Sequence, residues 1–245
     1  DVYKRQILKN NGYRTYMTGK WHINLPVDKL FDIVKNPKPG MPKDKGSEYN
    51  KQLKLWENES NQLEDLSDYM PIGYNRPLNE NDNSWRPDDS IFGGFWEGGK
   101  HWSEVIKDDA IEFINDSQNF QNPFFIYLAF NAPHDPRQAP KKFLNLYPIE
   151  KISIPVNYSP AHPYMYEIGN GPGLRDEALA PYPRSKYSVK KHIQEYYAII
   201  SHLDEQVGKI LSHLENNKLL ENTYIIFTSD HGLSVGQHGL LGKQS

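Results

Sequence analysis

The chain contains 245 residues, which suffices for one large α/β domain with a substantial apolar core. Its formal net charge of -3, from 28 Lys and Arg against 31 Asp and Glu, excludes a general electrostatic attraction to nucleic acid or anionic lipid. The absence of cysteine excludes disulfides, thiolate metal sites and cysteine nucleophiles within the chain.

A helix, a strand and a long insertion are predicted in the first part of the chain. Apolar residues within 2–11 indicate a helix, and Gly12 follows where a C-terminal cap would lie. Residues 13–18 predict a strand that ends at the sequence GKWH. Residues 24–99 are rich in Pro, Asn, Asp and Gly, with a weak helical pattern at 48–66, and predict a loop-rich insertion.

The helix-then-strand order is predicted twice more. The apolar residues within 102–117 would lie on one face of a helix, with Ser103 as its N-cap. The apolar run 124–130 predicts a strand buried on both faces. This run is far shorter than the roughly 18 residues of a membrane-spanning helix. The clearest helical spacing covers residues 189–214, and residues 224–227 predict the next strand.

Each predicted strand ends in a short polar sequence, namely GKWH, NAPHD or TSDHG. Because ligands of open α/β sheets bind beyond the carboxyl ends of the strands, we expect these sequences to meet at one edge. The candidate catalytic and binding residues in and after these sequences are mostly cationic. Their side chains would repel each other unless a small oxyanion such as sulfate or phosphate lay between them. They are Lys20, His22, His134, Asp230, His231, His238 and Lys243.

Asp230 and His231 form an adjacent carboxylate and imidazole pair on a glycine-flanked turn, which suits a divalent metal. Ca²⁺ and Mg²⁺ prefer oxygen ligands whereas imidazole favours Zn²⁺ or Mn²⁺, so these two side chains leave the ion open. Two ligands also make an incomplete site. His238 could face the substrate or hydrogen-bond its own loop, and the structural role is slightly favoured.

Four sequences together carry a resemblance to a known family: GYRTYMTGKWH, NAPHDPRQAP, EYYAIISHLDEQVGKIL and TSDHGLSVGQHGLLGK. They resemble the type I sulfatases of the alkaline phosphatase superfamily, close to its bacterial iduronate- and choline-sulfatase-like branch. The resemblance implies an alkaline-phosphatase-like α/β fold with a central, mostly parallel sheet flanked by helices. Residues 1–245 would be part of the N-terminal catalytic domain, incomplete at both ends, and the proline-rich residues 131–187 would be active-site loops.

The resemblance also implies roles for the candidate residues. Asp230 and His231 would be metal ligands, normally to Ca²⁺, although His231 replaces the Asn of many members and keeps Zn²⁺ or Mn²⁺ as alternatives. The sulfate oxygens would be contacted by Lys20, His22 and Lys243. His134 would hold the sulfate or protonate the leaving alcohol, and His238 is a further candidate for substrate binding.

The reaction implied by the resemblance is sulfate ester hydrolysis by a formylglycine nucleophile. That residue is made from Cys or Ser in a C/S-x-P/A-x-R segment, which this sequence lacks, so we expect a fragment that is inactive alone. The implied partners are a sulfated small molecule or glycan and, for the full-length protein, a formylglycine-generating or anaerobic sulfatase-maturating enzyme. A periplasmic or secreted location is expected, without membrane insertion.

Two alternatives are open. A metal-dependent phosphoester or phosphonate hydrolase of the same superfamily would share the Asp-His turn, and His231 suits the transition metals that such enzymes bind. A non-catalytic protein that binds sulfated glycans would keep the cationic residues after losing its nucleophile.

Overall fold

A computed structural model of the protein describes residues 2–243, without the side chains of residues 2–5 and 43–47. Helices combine with a parallel sheet, in agreement with the predicted α/β class. The helices are α1 (Val2–Asn10), α2 (Lys43–Glu59), α3 (Leu66–Tyr69), α4 (Trp102–Ser117), α5 (Lys141–Leu144) and α6 (Lys186–Asn216), and the strands are β1 (Arg14–Lys20), β2 (Ile33–Lys38), β3 (Trp96–Glu97), β4 (Lys100–His101) and β5 (Phe124–Ala129). Across the described residues, no helix combines the length and apolar character that crossing a membrane requires.

The chain divides into two compact units. The first comprises Asp1–Pro42, Phe95–Asp135 and Ile200–Ile225, and the second comprises Lys43–Gly94, Pro136–Ile199 and Ile226–Ser245. The parallel sheet and α4 belong to the first unit, whereas α2, α3 and α5 belong to the second. Helix α6 begins in the second unit and ends in the first.

The first unit is organised around β1, which is the middle strand of a three-stranded sheet in the order β2-β1-β5. Both pairings are parallel, so all three strands point their carboxyl ends toward the same edge. Lys20 pairs with Lys38, and Gly19 pairs with Ala129. The ends of the three strands are therefore level with each other.

Glycine is required at position 19 for two reasons. Its φ angle is +94°, a backbone conformation that residues with a side chain rarely adopt. A Cβ atom there would also lie 2.1 Å from the carbonyl oxygen of Ala129 on the neighbouring strand. Gly19 thus permits the close approach of β1 and β5 immediately before the GKWH sequence.

Helix α4 packs against α6 through apolar side chains and is tied to the sheet by one buried carboxylate. Ala110 and Ile114 pack with Ile210 and Leu214 of α6 into a buried cluster. Asp109 accepts hydrogen bonds from Thr18 Oγ1 of β1 at 2.6 Å and from Asn36 of β2. Because a buried carboxylate must be satisfied by donors, this contact sets how α4 lies on the sheet.

The second unit contains two apolar clusters joined to a buried polar network. One cluster includes Tyr49, Tyr74 and Leu179, and the other is centred on residues of α6. In the network, Arg76 makes two hydrogen bonds of 2.7 and 2.6 Å to the carboxylate of Glu195. The planar guanidinium suits this two-point contact, which satisfies both buried charges.

His192 completes that network as a neutral imidazole. Arg137 donates to its Nδ1 at 2.9 Å, so its Nε2–H donates to the carbonyl oxygen of Arg76 at 2.8 Å. Burial, together with the charges of Arg76 and Arg137, holds the pKa of His192 well below its usual range. The buried network therefore holds His192 in its uncharged form.

Two expectations about strands were wrong. Residues 224–227 form no ladder with any described residue, and Tyr224, Ile226 and Phe227 are largely exposed. Residues 224–227 have strand-forming side chains, but a strand exists only where a neighbour pairs with it. Strand β5 is half-buried, with Tyr127 42% exposed, and is not enclosed on both faces, because in the described sheet it pairs only with β1.

The helix at 102–117 was predicted with correct bounds but with the wrong cap. His101 is the N-cap residue, and its Nδ1 accepts a hydrogen bond from the backbone N–H of Ser103. The predicted insertion at 24–99 contains more regular structure than its composition suggests, including β2 and the 17-residue α2. Strand β2 was missed because its IVKNPK sequence contains Asn and Pro.

Gly19→Ala should destabilise the protein far more than Gly12→Ala. Both glycines have positive φ, but a Cβ at Gly12 would meet nothing within 4 Å. Gly12→Ala should therefore cost only the conformational penalty of about 1–2 kcal/mol. Urea denaturation of both variants measures the difference, and equal losses would show that contact with Ala129 does not constrain β1.

The stability of the protein should fall as the pH drops below about 6.5, because the unfolded chain then binds a proton that folded His192 refuses. The expected slope from this group is up to about 1.4 kcal/mol per pH unit. His192→Gln, which keeps a donor and an acceptor, should flatten the dependence. Unfolding free energies of the wild type and of His192→Gln, measured between about pH 5 and pH 8, test this. Identical slopes for the two proteins would contradict it.

Candidate functional site

Three predicted site residues lie in the first unit, at the ends of two adjacent strands. Lys20 is the last residue of β1, and His22 follows it on an exposed position. His134 lies five residues beyond the end of β5. Because β1 and β5 are paired in parallel up to Gly19 and Ala129, the structure brings the GKWH and NAPHD sequences to the same sheet edge.

The segment after β2 links these two strand ends. Asn131 donates from its side-chain amide to the carbonyl oxygens of Pro39, at 2.9 Å, and Gly40, at 3.3 Å. A Cβ atom on Gly40 would lie 3.1 Å from Nδ1 of His22. His22 therefore lies against a backbone segment that the β5 end holds in place.

The His134 imidazole is oriented by its sequence neighbour. Its Nδ1 lies 2.9 Å from the carbonyl oxygen of Asp135 and 3.0 Å from that residue's Oδ1. Both partners accept, so Nδ1 carries a proton. The Asp135 side chain is 5% exposed, so this contact fixes the orientation of the His134 ring.

Positive charge at this edge is partly compensated from the β3–β4 hairpin. Lys38, at the end of β2, forms an ion pair with Glu97 and lies 5.0 Å from the ring centroid of Trp102. The hydrogen bond from Lys38 holds the pKa of Glu97 below its usual range. Lys38 is thus paired locally with a carboxylate.

The Asp230 and His231 pair lies in the second unit on an exposed turn. The two side chains are 77% and 46% exposed, and Asp230 Oδ2 lies 3.4 Å from His231 Nε2. Asp230 Oδ1 also accepts from the backbone N–H of His231 at 3.1 Å. The turn therefore presents a carboxylate and an imidazole side by side.

A hairpin-like loop follows this turn and carries His238 and Lys243. Ser234 N–H donates to the Gly242 carbonyl at 2.9 Å, and Gly236 N–H donates to the Leu240 carbonyl at 2.7 Å. We call residues 234–243 the GQHG loop. Lys243 directly follows Gly242, whose carbonyl accepts one of these hydrogen bonds.

His238 is engaged with a second loop of the same unit. Its backbone N–H donates to the Asn157 carbonyl at 3.0 Å, and its Nε2 accepts from the Asn157 amide at 2.8 Å. These contacts match the structural alternative considered for this residue. Its ring is exposed, so the substrate-facing alternative stays open as well.

The donor set at the turn fits only part of a metal site. A Ca²⁺ ion takes six to eight oxygen ligands, whereas Asp230 and His231 supply one carboxylate and one imidazole. Among the side chains that the structure describes, no cluster of three or more His, Cys, Asp or Glu could hold a metal ion. The two side chains are accessible and adjacent, so they are chemically suited to be two ligands among several.

The sequence-based reasoning missed Glu177 and Arg184, which contact the GQHG loop. They form a buried ion pair in the second unit, with Arg184 Nη2 2.7 Å from Glu177 Oε2. Neither residue lies at a predicted strand end or in a sequence of recognisable spacing. A charged residue in the stretch DEALAPYPR gives no signal of its burial.

A family model described as Sulfatase matches residues 5–245. Among curated proteins, iduronate 2-sulfatase of Mus musculus is 36% identical over 151 residues, covering 56% of this chain and 27% of that protein. The match therefore covers less than a third of the length of this relative.

Two solved structures have a similar fold. Phosphonate monoester hydrolase of Agrobacterium radiobacter gives a TM-score of 0.58 at 16% identity, covering 98% of this chain and 49% of that one. A structure in complex with its substrate D-glucosamine-2-N,6-O-disulfate gives a TM-score of 0.55 at 19% identity, covering 98% and 52%. At these sequence identities, the similarity shows only the fold, which is the α/β fold of the alkaline phosphatase type.

Proposed function

Because the chain belongs to the sulfatase family, we propose that it is part of an enzyme that hydrolyses sulfate esters. The observation that carries this proposal is the family match over residues 5–245. The geometry of the first unit supports it, since Lys20, His22 and His134 follow two strands that end level with each other. A cationic edge of this kind suits a small divalent or monovalent oxyanion.

Lys20, His22 and Lys243 are proposed to contact sulfate oxygens. Their hydrogen-bond donors would stabilise the negative charge that these oxygens carry as the ester bond breaks. Such stabilisation is effective only when the donors are held in place before the reaction. The β1 end fixes Lys20 through its pairing with Lys38, and the GQHG loop carries Lys243.

His134 is proposed as the acid that protonates the departing alkoxide. Nδ1 is held by the two oxygens of Asp135, so the proton given to the alkoxide would leave from Nε2. The carboxylate of Asp135 would hold the ring in the orientation that transfer requires. This arrangement resembles the orienting carboxylate of other imidazole acids and bases.

Asp230 and His231 are proposed to supply two ligands to a divalent metal, with Ca²⁺ preferred over Zn²⁺ or Mn²⁺. A bound ion of this kind would act as a Lewis acid toward a sulfate oxygen. We propose that the nucleophile is a formylglycine outside this chain, made by a dedicated maturation enzyme. The chain alone would then be inactive.

The proposed substrate is a sulfated sugar, met in the periplasm or outside the cell. One structural neighbour is described with a disulfated glucosamine as its substrate, which supports this class without fixing the sugar. A phosphonate or phosphoester hydrolase is the second candidate. The imidazole of His231 at the metal turn is the observation that favours it, since imidazole is a common transition-metal ligand.

Lys20→Ala and Lys243→Ala, made in the full-length protein, should each lower kcat/KM for an aryl sulfate by about 10²–10³-fold with little loss of stability. The reason is that each removes a charge from the sulfate oxygens. Lys209→Ala is the matched control, because Lys209 is half-exposed and pairs with Glu205 on α6. Wild-type turnover in either site variant would contradict the oxyanion role.

His134→Ala should lower turnover of an alkyl sulfate by at least about 10²-fold more than turnover of 4-nitrophenyl sulfate. An alkoxide needs a proton to depart, whereas 4-nitrophenolate leaves without one. Steady-state kinetics with both esters and full-length protein measure the ratio. Equal losses on the two substrates would argue that His134 binds sulfate and transfers no proton.

A further inference from the structure

We propose that Glu177 and Arg184 are positioning residues for Lys243, because their buried ion pair anchors the GQHG loop from two sides. Nothing in the sequence motifs or in the family match assigns a role to this pair. The inference rests on the proposed function, since it concerns the placement of a lysine proposed to contact sulfate. Its structural part can be tested without any measurement of activity.

The Glu177 carboxylate is the centre of the anchor. Its Oε1 accepts from the backbone N–H groups of Leu241, at 3.0 Å, and Gly242, at 2.8 Å. Its Oε2 accepts from Arg184 Nη2 at 2.7 Å and also lies 3.0 Å from Leu241 N. Glu177 therefore grips the two residues that immediately precede Lys243.

Arg184 holds the opposite side of the loop. Its Nε donates to the carbonyl oxygen of Gly239 at 3.3 Å, and its Nη1 donates to the carbonyl oxygens of Ala180 and Pro181. The guanidinium also lies 3.7 Å from the ring centroid of Tyr182. Five N–H donors in one rigid plane allow it to link the loop and the ion pair at once.

Burial makes these contacts obligatory. The side chains of Glu177 and Arg184 are 1% and 0% exposed. A charged group at such a position must keep its partners, because solvent cannot replace them. If the loop left, Glu177 would lose the backbone donors of Leu241 and Gly242, and Arg184 would lose the Gly239 carbonyl as an acceptor, so the placement of the loop is coupled to the ion pair.

Two glycines let the backbone of the loop pack closely against neighbouring segments. At Gly242 a Cβ atom would lie 2.8 Å from Cβ of Asp176, so the backbone runs directly against the segment that carries Glu177. At Gly239 a Cβ atom would lie 2.6 Å from the carbonyl carbon of Ala161, at a φ of +79°. These approaches are possible only without side chains, as expected where backbones meet closely.

The anchor matters for chemistry because of what the loop connects. It begins four residues after Asp230 and ends at Lys243. A lysine has a long and flexible side chain, so its ammonium group is positioned only as well as its backbone is. Fixing the amides of residues 241 and 242 therefore fixes the position of the Lys243 backbone.

The first experiment is amide hydrogen exchange on the full-length protein carrying Glu177→Gln. The amides of Leu241 and Gly242 should exchange at least about tenfold faster, because one acceptor oxygen and the negative charge are lost. Glu195→Gln is the matched control: it weakens another buried Glu–Arg pair of the same unit, which does not contact the loop. The control should leave these two amides within about twofold of wild type.

The second experiment measures whether Glu177 acts through Lys243. In the full-length enzyme, Glu177→Gln should lower kcat/KM for an aryl sulfate by about tenfold in the wild-type background. In the Lys243→Ala background the same change should have almost no further effect. If Glu177→Gln does not fold, Glu177→Asp, which keeps the charge, is measured in both experiments and should show smaller changes in the same direction.

The outcomes separate this inference from the proposed function. Unchanged exchange at residues 241 and 242 in the Glu177 variant overturns the anchor, whatever the enzyme does. Equal kinetic losses in the wild-type and Lys243→Ala backgrounds overturn the link to Lys243 while leaving sulfatase activity intact. A full-length wild-type protein without sulfatase activity overturns the proposed function, and the exchange result still decides the anchor.

Discussion

The parallel pairing of β1 with β5 is the constraint on which the first unit depends. Because β1 is the middle strand, β2, α4 and β5 are all positioned relative to it. The pairing is possible only because Gly19 carries no side chain against Ala129. A single close backbone approach thus sets the level at which Lys20 and the His134 segment leave the sheet.

Charge is handled in two different ways in the molecule. Inside the second unit, Arg76 with Glu195 and Arg184 with Glu177 are fully paired, and His192 stays neutral between arginines. Lys20 at the end of β1 and Lys243 on the GQHG loop are partly accessible. Buried charge therefore serves to hold backbone segments in place, whereas accessible charge is proposed to meet an oxyanion.

The sequence predicted what local pattern and motif spacing determine. Helices α4 and α6 follow from their apolar periodicity, and the ends of β1 and β5 follow from the polar residues after those two runs. It could not predict that residues 224–227 lack a pairing neighbour, because pairing depends on chain segments distant in sequence. Nor could it predict the role of Glu177, since the donors to its carboxylate lie 64 and 65 residues further along the chain.

The central claim is that this chain serves a sulfatase rather than a phosphonate or phosphoester hydrolase of the same fold. The most direct measurement compares kcat/KM of the full-length protein for 4-nitrophenyl sulfate and for the phenylphosphonate monoester of 4-nitrophenol, with the same leaving group in both. We predict that sulfate release is faster by at least about tenfold, well outside the scatter of steady-state kinetics. Faster hydrolysis of the phosphonate would contradict the account and favour the alternative function.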